Sequence, residues 1–182
     1  FYPQLELGSK ANSFSPYGTT PIELCKIGEY QDYIYKENGN WYKYNAVGKV
    51  VLDGTENWQY ISVAEGSLFR SNNAVLNARI DSNYSPYSNY YKGISLNTSR
   101  YNNTIKINNS STYSYVDIID NAYSSDTDYK NWLTTHNTLV YYVLATPTTT
   151  QITDTDLITQ LEALIGATTY LGQTNIVTSG ST

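Results

Sequence analysis

The 182-residue sequence has one Cys (Cys25), one His (His136) and no Met. A single Cys makes no disulfide within the chain, and one Cys with one His cannot complete a zinc cage of those ligands. Nothing in the sequence points to a cofactor. Charge is sparse as well. Asp, Glu, Lys and Arg make up 15% of the residues, against roughly a quarter in an average domain. The net charge of −5 and pI near 4.7 argue against electrostatic capture of nucleic acid. No run reaches the ~18 apolar residues of a membrane-spanning helix. Phe and Trp number only three each.

Tyr carries the aromatic load, with 20 residues. Alongside stand 19 Asn, 18 Ser and 22 Thr. Hydrophobic residues reach 40%, enough to bury a core and to argue against a disordered chain. A Tyr ring is apolar and its hydroxyl is wet. A surface rich in Tyr, Ser, Gly and Asn suits polar partners, and sugars are such partners. The plainer reading is a β-protein with Tyr on half-buried sheet faces. Composition leaves both open.

Residues 1–21 carry three Pro and two Gly without a long periodic run. They read as the end of an upstream module followed by a linker, so the expected division is 1–21 and a C-terminal head domain, 22–182. Beyond Pro21 the pattern is one of short strands. Asn38-Gly39 between the aromatic runs 30–36 and 41–44 predicts a tight hairpin. Further strands are expected at 47–52, 56–63, 67–70, 92–96, 104–107, 113–119 and 139–144, the last closed by Pro147. Residues 74–80 fit helix or strand, and 81–91 form a polar, Tyr-rich loop. A helix is predicted over 126–135, capped by Ser125 or Asp126, with Tyr129, Trp132 and Leu133 as its buried stripe. A second is predicted over 154–164, capped by Thr153 or Asp154, with Leu157, Ile158, Leu161 and Leu164 on one face and Gly166 past its end. A last strand is expected within 170–177. The sum is a mainly β chain with two short helices, best built as an antiparallel sandwich or jelly roll.

Catalytic constellations are thin. His136 at a helix end reads as a residue facing the helix dipole, and Cys25 as a small hydrophobe. The pairs Asp126/Asp128 and Asp154/Asp156 fall in helix first turns, where acids are expected. Asp117 and Asp120 are harder to dismiss as a glycosidase-type pair. No EF-hand loop is present for calcium. The sequons at Asn97, Asn102, Asn108 and Asn109 follow from an Asn/Ser/Thr-rich composition.

Four segments carry a resemblance: LCKIGEYQDYIYK (24–36), GKVVLDGTENW (48–58), NWLTTHNTLVYYVLATPT (131–148) and ITDTDLITQLEALIGATTYLGQTNI (152–176). They resemble the C-terminal region of tail-fibre, baseplate and receptor-binding proteins of phages that infect Gram-positive bacteria of the streptococcal and lactococcal type. PQLELGSKANSFSPY (3–17) is similar to the end of a carbohydrate-binding jelly-roll module that often precedes that region. The resemblance fades through residues 64–120. It implies a virion protein at the phage tail tip, a homotrimer among other tail and baseplate proteins, which contacts host cell-wall polysaccharide at the bacterial surface without catalysis.

The Tyr excess concentrates where the resemblance fades. Tyr84, Tyr87, Tyr90 and Tyr91 fall in one short loop with Asn83, Ser88 and Asn89 between them, and Tyr101, Tyr113, Tyr115 and Tyr123 follow. Rigid rings with neighbouring amides and charges suit saccharide recognition. The expected site comprises Asp81, Tyr84, Tyr87, Asn89, Tyr90, Tyr91, Arg100, Tyr101 and Asp120. Two other readings stand beside it: a structural trimerisation or tip module without a sugar site, and a polysaccharide hydrolase using Asp117 and Asp120.

Overall fold

The Asn38-Gly39 turn has the backbone its residue types favour. Both residues take positive φ (48° and 81°), the signature of a type I′ hairpin turn, which suits Asn-Gly and matches strand twist. It joins β3 (Tyr33–Glu37) to β4 (Asn40–Leu52), and Tyr33 pairs with Tyr44 across the ladder. The computed structural model describes residues 22–71, 76–79, 83–109, 114–165 and 176–178. The expected module end and linker at 1–21 lie outside them, as do Asp81, Tyr113 and Gly166.

Two short strands, β1 (Lys26–Ile27) and β2 (Tyr30–Gln31), form a small ribbon of their own. The first five-stranded sheet has the order β5-β6-β10-β9-β8, from β5 (Trp58–Val63), β6 (Gly66–Ser71), β8 (Lys92–Gly93), β9 (Thr104–Asn109) and β10 (Ser114–Ile119). The second has the order β12-β3-β4-β11-β7, completed by β7 (Tyr87–Ser88), β11 (Thr138–Gln151) and β12 (Ile176–Thr178). Pairing is antiparallel except at β8/β9 and β12/β3. Among the described residues the chain is mainly β, with two helices and its antiparallel sheets in a sandwich-like arrangement.

The core lies between the sheets and takes in helix α1 (Asp126–Thr135). Leu52 and Val140 come from the second sheet, Trp58, Phe69, Ile105, Val116 and Ile118 from the first, and Tyr129 and Leu133 from α1. Phe69 stacks on Tyr129 at 4.2 Å, and Trp58 meets the same ring edge-on. Tyr129 and Leu133 of the α1 stripe are thus buried as its spacing predicts, while Trp132 is half-buried at the edge of the core. Ser125 is its N-cap, accepting from the Asp128 N–H at 3.1 Å, and His136 its C-cap. Helix α2 (Thr155–Leu164) is capped by Asp154, which accepts from the N–H groups of Asp156 and Leu157. Its Leu161 joins Ile34 and Trp41 in a second cluster, with Leu157 and Ile158 packed against it. Glu162 ties the helix to the sheet through the Trp41 Nε1–H (2.8 Å) and Lys36. Leu164, expected on the buried face, is exposed, as is Ile165, because α2 docks through its earlier turns.

Two strand boundaries differ from expectation for a shared reason. Residues 41–44 and 47–52 belong to one strand, and β11 runs on through Pro147. The β4/β11 register slips between Val143 and Thr148, so Pro147 sits in a bulge, where its missing N–H costs no ladder bond. The bulge is supported from both sides. The buried Asp32 carboxylate accepts from the N–H groups of Ala46 (2.7 Å) and Val47 (3.0 Å). Across the bulge, Asn77 and Arg79 bond the backbone of Ala145 and Val143, and Ala78 bridges Leu144. Of the ambiguous stretch 74–80, the described residues are therefore extended. β5 starts at Trp58, two residues later than expected, because Glu56 folds back on the N–H groups of Asp53 and Gly54 and on Trp58 Nε1.

Candidate functional site

Sequence reasoning grouped nine residues in one site; the structure divides seven of them among three places and sets Tyr84 apart, and Asp81 lies outside the described residues. The first is the turn that joins β7 to β8. Asn89 grips β11 from this turn: its Oδ1 accepts from the Leu139 N–H at 2.9 Å, and its Nδ2 donates to the Asn137 carbonyl at 3.2 Å. Ser88 Oγ accepts from the Tyr90 N–H at 3.3 Å. At the other end of this stretch, a Cβ on Gly93 would collide with the Pro86 carbonyl, so only glycine lets β8 pass this close.

On that clamped turn stand the two most exposed tyrosines of the described residues. Tyr87 is 66% exposed and Tyr90 48%. Tyr87 leans on Tyr141 (6.4 Å between ring centroids), whose hydroxyl donates to Glu23. Tyr90 meets Trp132 edge-on at 5.2 Å, and Trp132 stacks flat on His136 at 4.7 Å and 6°. Aromatic edge and face contacts each contribute about 0.5–1.5 kcal/mol beyond area burial, so the rings are held while part of their surface stays open. Trp132 and His136 were not among the expected site residues. Their signal was present: Trp132 lies in the last turn of α1 and His136 caps that end, four residues on. His136 Nδ1 also lies 3.0 Å from the Trp132 carbonyl at this helix end.

The second place is the interior, and it takes two expected contact residues. Tyr91 is only 5% exposed and donates its hydroxyl to Asp120 at 2.9 Å. Burial, above all, pushes the Tyr91 hydroxyl well above the ordinary tyrosine range, so it remains a donor. Asp120 is itself buried, and its other oxygen accepts from the Ala122 N–H. Both were expected at a saccharide surface. Immediately before β8, Tyr91 instead turns inward, next to outward Lys92. Asp117 and Asp120 do not form a carboxylate pair either. Asp120 faces the core ring, whereas Asp117 lies on the opposite face of the first sheet.

The third place is that outer face, where Arg100 and Tyr101 lie. Asp117, 2% exposed, accepts from Arg70 Nε (2.7 Å) and Nη2 (2.9 Å), from Arg100 Nη2, and from Asn108 Nδ2 (3.2 Å). Arg70 lies over the Tyr115 ring at 4.0 Å, and Lys92 over Tyr101 at 5.7 Å. Tyr101 is 42% exposed. Lys106, paired with Asp117 in register, donates to the Thr98 carbonyl at 3.1 Å.

Tyr84 stands apart from all three. Its hydroxyl donates to Glu29, its ring meets Tyr30 edge-on at 5.0 Å, and it closes a small cleft with Arg79, Pro86, Ile94 and Tyr142. A further set, Tyr33, Tyr35, Tyr42 and Tyr44, stacks in cross-strand pairs at 4.6 and 5.4 Å. Those rings spend their faces on one another, which suits strand pairing rather than a ligand. No protein-family model matches the chain, and no curated protein or solved structure matches it either.

Proposed function

We propose that the chain is a saccharide-binding head domain at the tip of a phage tail, a homotrimer that adheres to host cell-wall polysaccharide together with other tail and baseplate proteins. It acts by binding, without catalysis. One observation supports this reading above the others. Tyr87 and Tyr90 are exposed on a turn that Asn89 clamps to β11, and Trp132, His136 and Tyr141 steady the rings. An exposed aromatic normally costs solubility and, if mobile, loses entropy on binding. Here most of that ordering is complete before a ligand arrives. Sugar C–H faces can lie on the rings, and the Ser88 hydroxyl lies between them in sequence. Each site would bind weakly, and three copies per head on many heads would raise avidity by orders of magnitude.

The test is retention of the protein on purified cell-wall polysaccharide. Tyr87→Ala and Tyr90→Ala are expected to lose most of the retention, each about tenfold or more, with an unchanged fold. Retention equal to the parent in both variants would remove this turn from the site. Light scattering is expected to report a trimer.

The structural-module reading keeps one point in its favour. Tyr87 and Val51 are exposed on the outer face of the second sheet, a surface that a second copy could cover. Host-cell labelling by the fluorescent protein separates the two, since a purely structural module leaves cells dark.

A further inference from the structure

The outer face of the first sheet concentrates positive charge in an acidic chain. Strand alternation puts Arg70 (β6), Asp117 and Tyr115 (β10), Thr104, Lys106 and Asn108 (β9) and Lys92 (β8) on this face, and the 94–101 loop brings Arg100 over it. The chain has 11 Lys and Arg in all. Four of them gather here, and among the described residues Asp117 is the one carboxylate they meet.

Asp117 alone does not balance them, since it brings one negative charge against four positive ones. It accepts four hydrogen bonds, one at Oδ1 from Arg70 and three at Oδ2 from Arg70, Arg100 and Asn108. Lys106 is 7% exposed and reaches only a carbonyl. Arg100 Nε is buried and has no hydrogen-bond partner among the described residues. The Arg70 and Arg100 side chains are 26% and 29% exposed, while that of Asp117 is at 1%. Like charges held together in a partly buried place repel, unless an anion joins them. Tyr101 adds an open ring beside Lys92.

We infer that this face binds a single oxyanion, a phosphate or carboxylate borne on a saccharide, with Arg100, Lys92 and Lys106 as the cations that receive it and Tyr101 as the ring beside it. The Arg70–Asp117 pair is the platform that positions Arg100. The net charge of −5 disfavours a long polyanion such as nucleic acid, whereas one anionic group on a sugar meets only the local field. This deepens the saccharide reading by giving the ligand an acidic group, and it rests on that reading for the saccharide only.

Calorimetric titration of the 182-residue protein at fixed low ionic strength tests it, with glucose 1-phosphate, glucuronate, glucose and a single-stranded oligonucleotide as probes. At least one acidic sugar should bind about tenfold or more tighter than glucose, and the tighter of the two names the anion. Arg100→Gln and Lys92→Gln should each weaken that binding about three- to tenfold, without a shift in melting temperature, because the bidentate Arg70–Asp117 pair remains. Glucose binding as tightly as both acidic sugars, an oligonucleotide binding tighter than either, or unchanged affinity in both variants would overturn the inference. Cell-wall retention that still depends on Tyr87 and Tyr90 would, in that event, leave the saccharide reading standing. Acidic-sugar binding lost in Arg100→Gln, alongside retention indifferent to Tyr87 and Tyr90, would do the reverse.

Discussion

The turn after β7 and the outer face of the first sheet both bring tyrosine to the surface, and they hold it by opposite means. At the turn, neutral contacts do the holding: Asn89 grips a strand backbone and Tyr90 leans on Trp132. Little charge lies in those contacts, and the rings project outward. On the outer face, charge does the holding. Arg70 lies on Tyr115 and Lys92 on Tyr101, around a carboxylate almost sealed from water. The turn can lose a ring and stay folded. The face cannot lose its central carboxylate without setting four cations against one another. Exposure of a Tyr therefore does not describe its role until the groups behind it are known.

The largest expected effect breaks the face. Asp117→Ala removes the acceptor of four hydrogen bonds and should destabilise the protein by about 3–5 kcal/mol, the usual cost of leaving buried charges unpaired. Tyr87→Ala should stay within about 0.5 kcal/mol, as exposed substitutions do. Urea unfolding of the two variants measures the contrast directly. Phosphate at constant ionic strength should recover more stability in Asp117→Ala than in the parent, since it can occupy the vacated position. A cost below about 1 kcal/mol for Asp117→Ala would mean that solvent already screens the cluster and that the two regions differ less than drawn.

An intermediate effect sharpens the other side. Asn89→Ala removes its bonds to Leu139 of β11 and to Asn137 just before it and should cost about 1 kcal/mol, because these bonds are solvent-exposed and of ordinary worth. Its effect on retention by cell-wall polysaccharide should exceed its effect on stability, since a released turn must be ordered again on binding. Asn89→Asp keeps the acceptor for the Leu139 N–H and loses the donor to Asn137, so it should fall between. Equal loss of stability and retention in Asn89→Ala would show that the turn binds only by being folded. Salt separates the regions again. Acidic-sugar binding at the outer face should weaken as salt rises, and retention through Tyr87 and Tyr90 should change little.

Much of this fold can be read from local chemistry. Asn38-Gly39 fixes its hairpin, Ser125 and Asp154 announce their helices, and the 129/132/133 stripe faces the core as its spacing says. Long-range partners escape such reading. Pro147 looks like a strand end until Asn77 and Asp32 are seen bracing a bulge. The candidate site was legible in part for the same reason. Clustering picked out Tyr87, Asn89 and Tyr90 correctly as neighbours on one turn, but it treated Tyr91 as their equal. A period of two carried back one residue from β8 would have turned Tyr91 inward and Lys92 outward. Alternation in 104–108 likewise separates Ile105 and Ile107 from Thr104, Lys106 and Asn108. Only the register, however, places Arg70 beside them, because β6 lies far from β9 and β10 in sequence.

The smallest expected effect tests whether the face is built for charge. Burial, and then the Arg100 guanidinium, lower the Lys106 pKa below its ordinary value, with Asp117 acting in the opposite sense. The groups that face Lys106 are Asp117 on β10, Arg100 and the Thr98 carbonyl in the loop above it, and Lys92 beyond Thr104 on β8. In the unfolded chain the ammonium titrates near an ordinary ~10.4. The folded state thus binds this proton less tightly than the unfolded one. Below the folded pKa the charged lysine costs stability, and that cost is relieved as pH rises through the folded value towards ~10.4. Affinity for an acidic sugar should move the other way over the same window, because the lost proton is the charge that receives the anion. Lys106→Met, which keeps the stem and removes the titration, should flatten both responses in that window. Stability and affinity falling together with rising pH, in the parent and in Lys106→Met alike, would instead trace the alkaline response to ionising groups elsewhere and leave Lys106 as a structural cation.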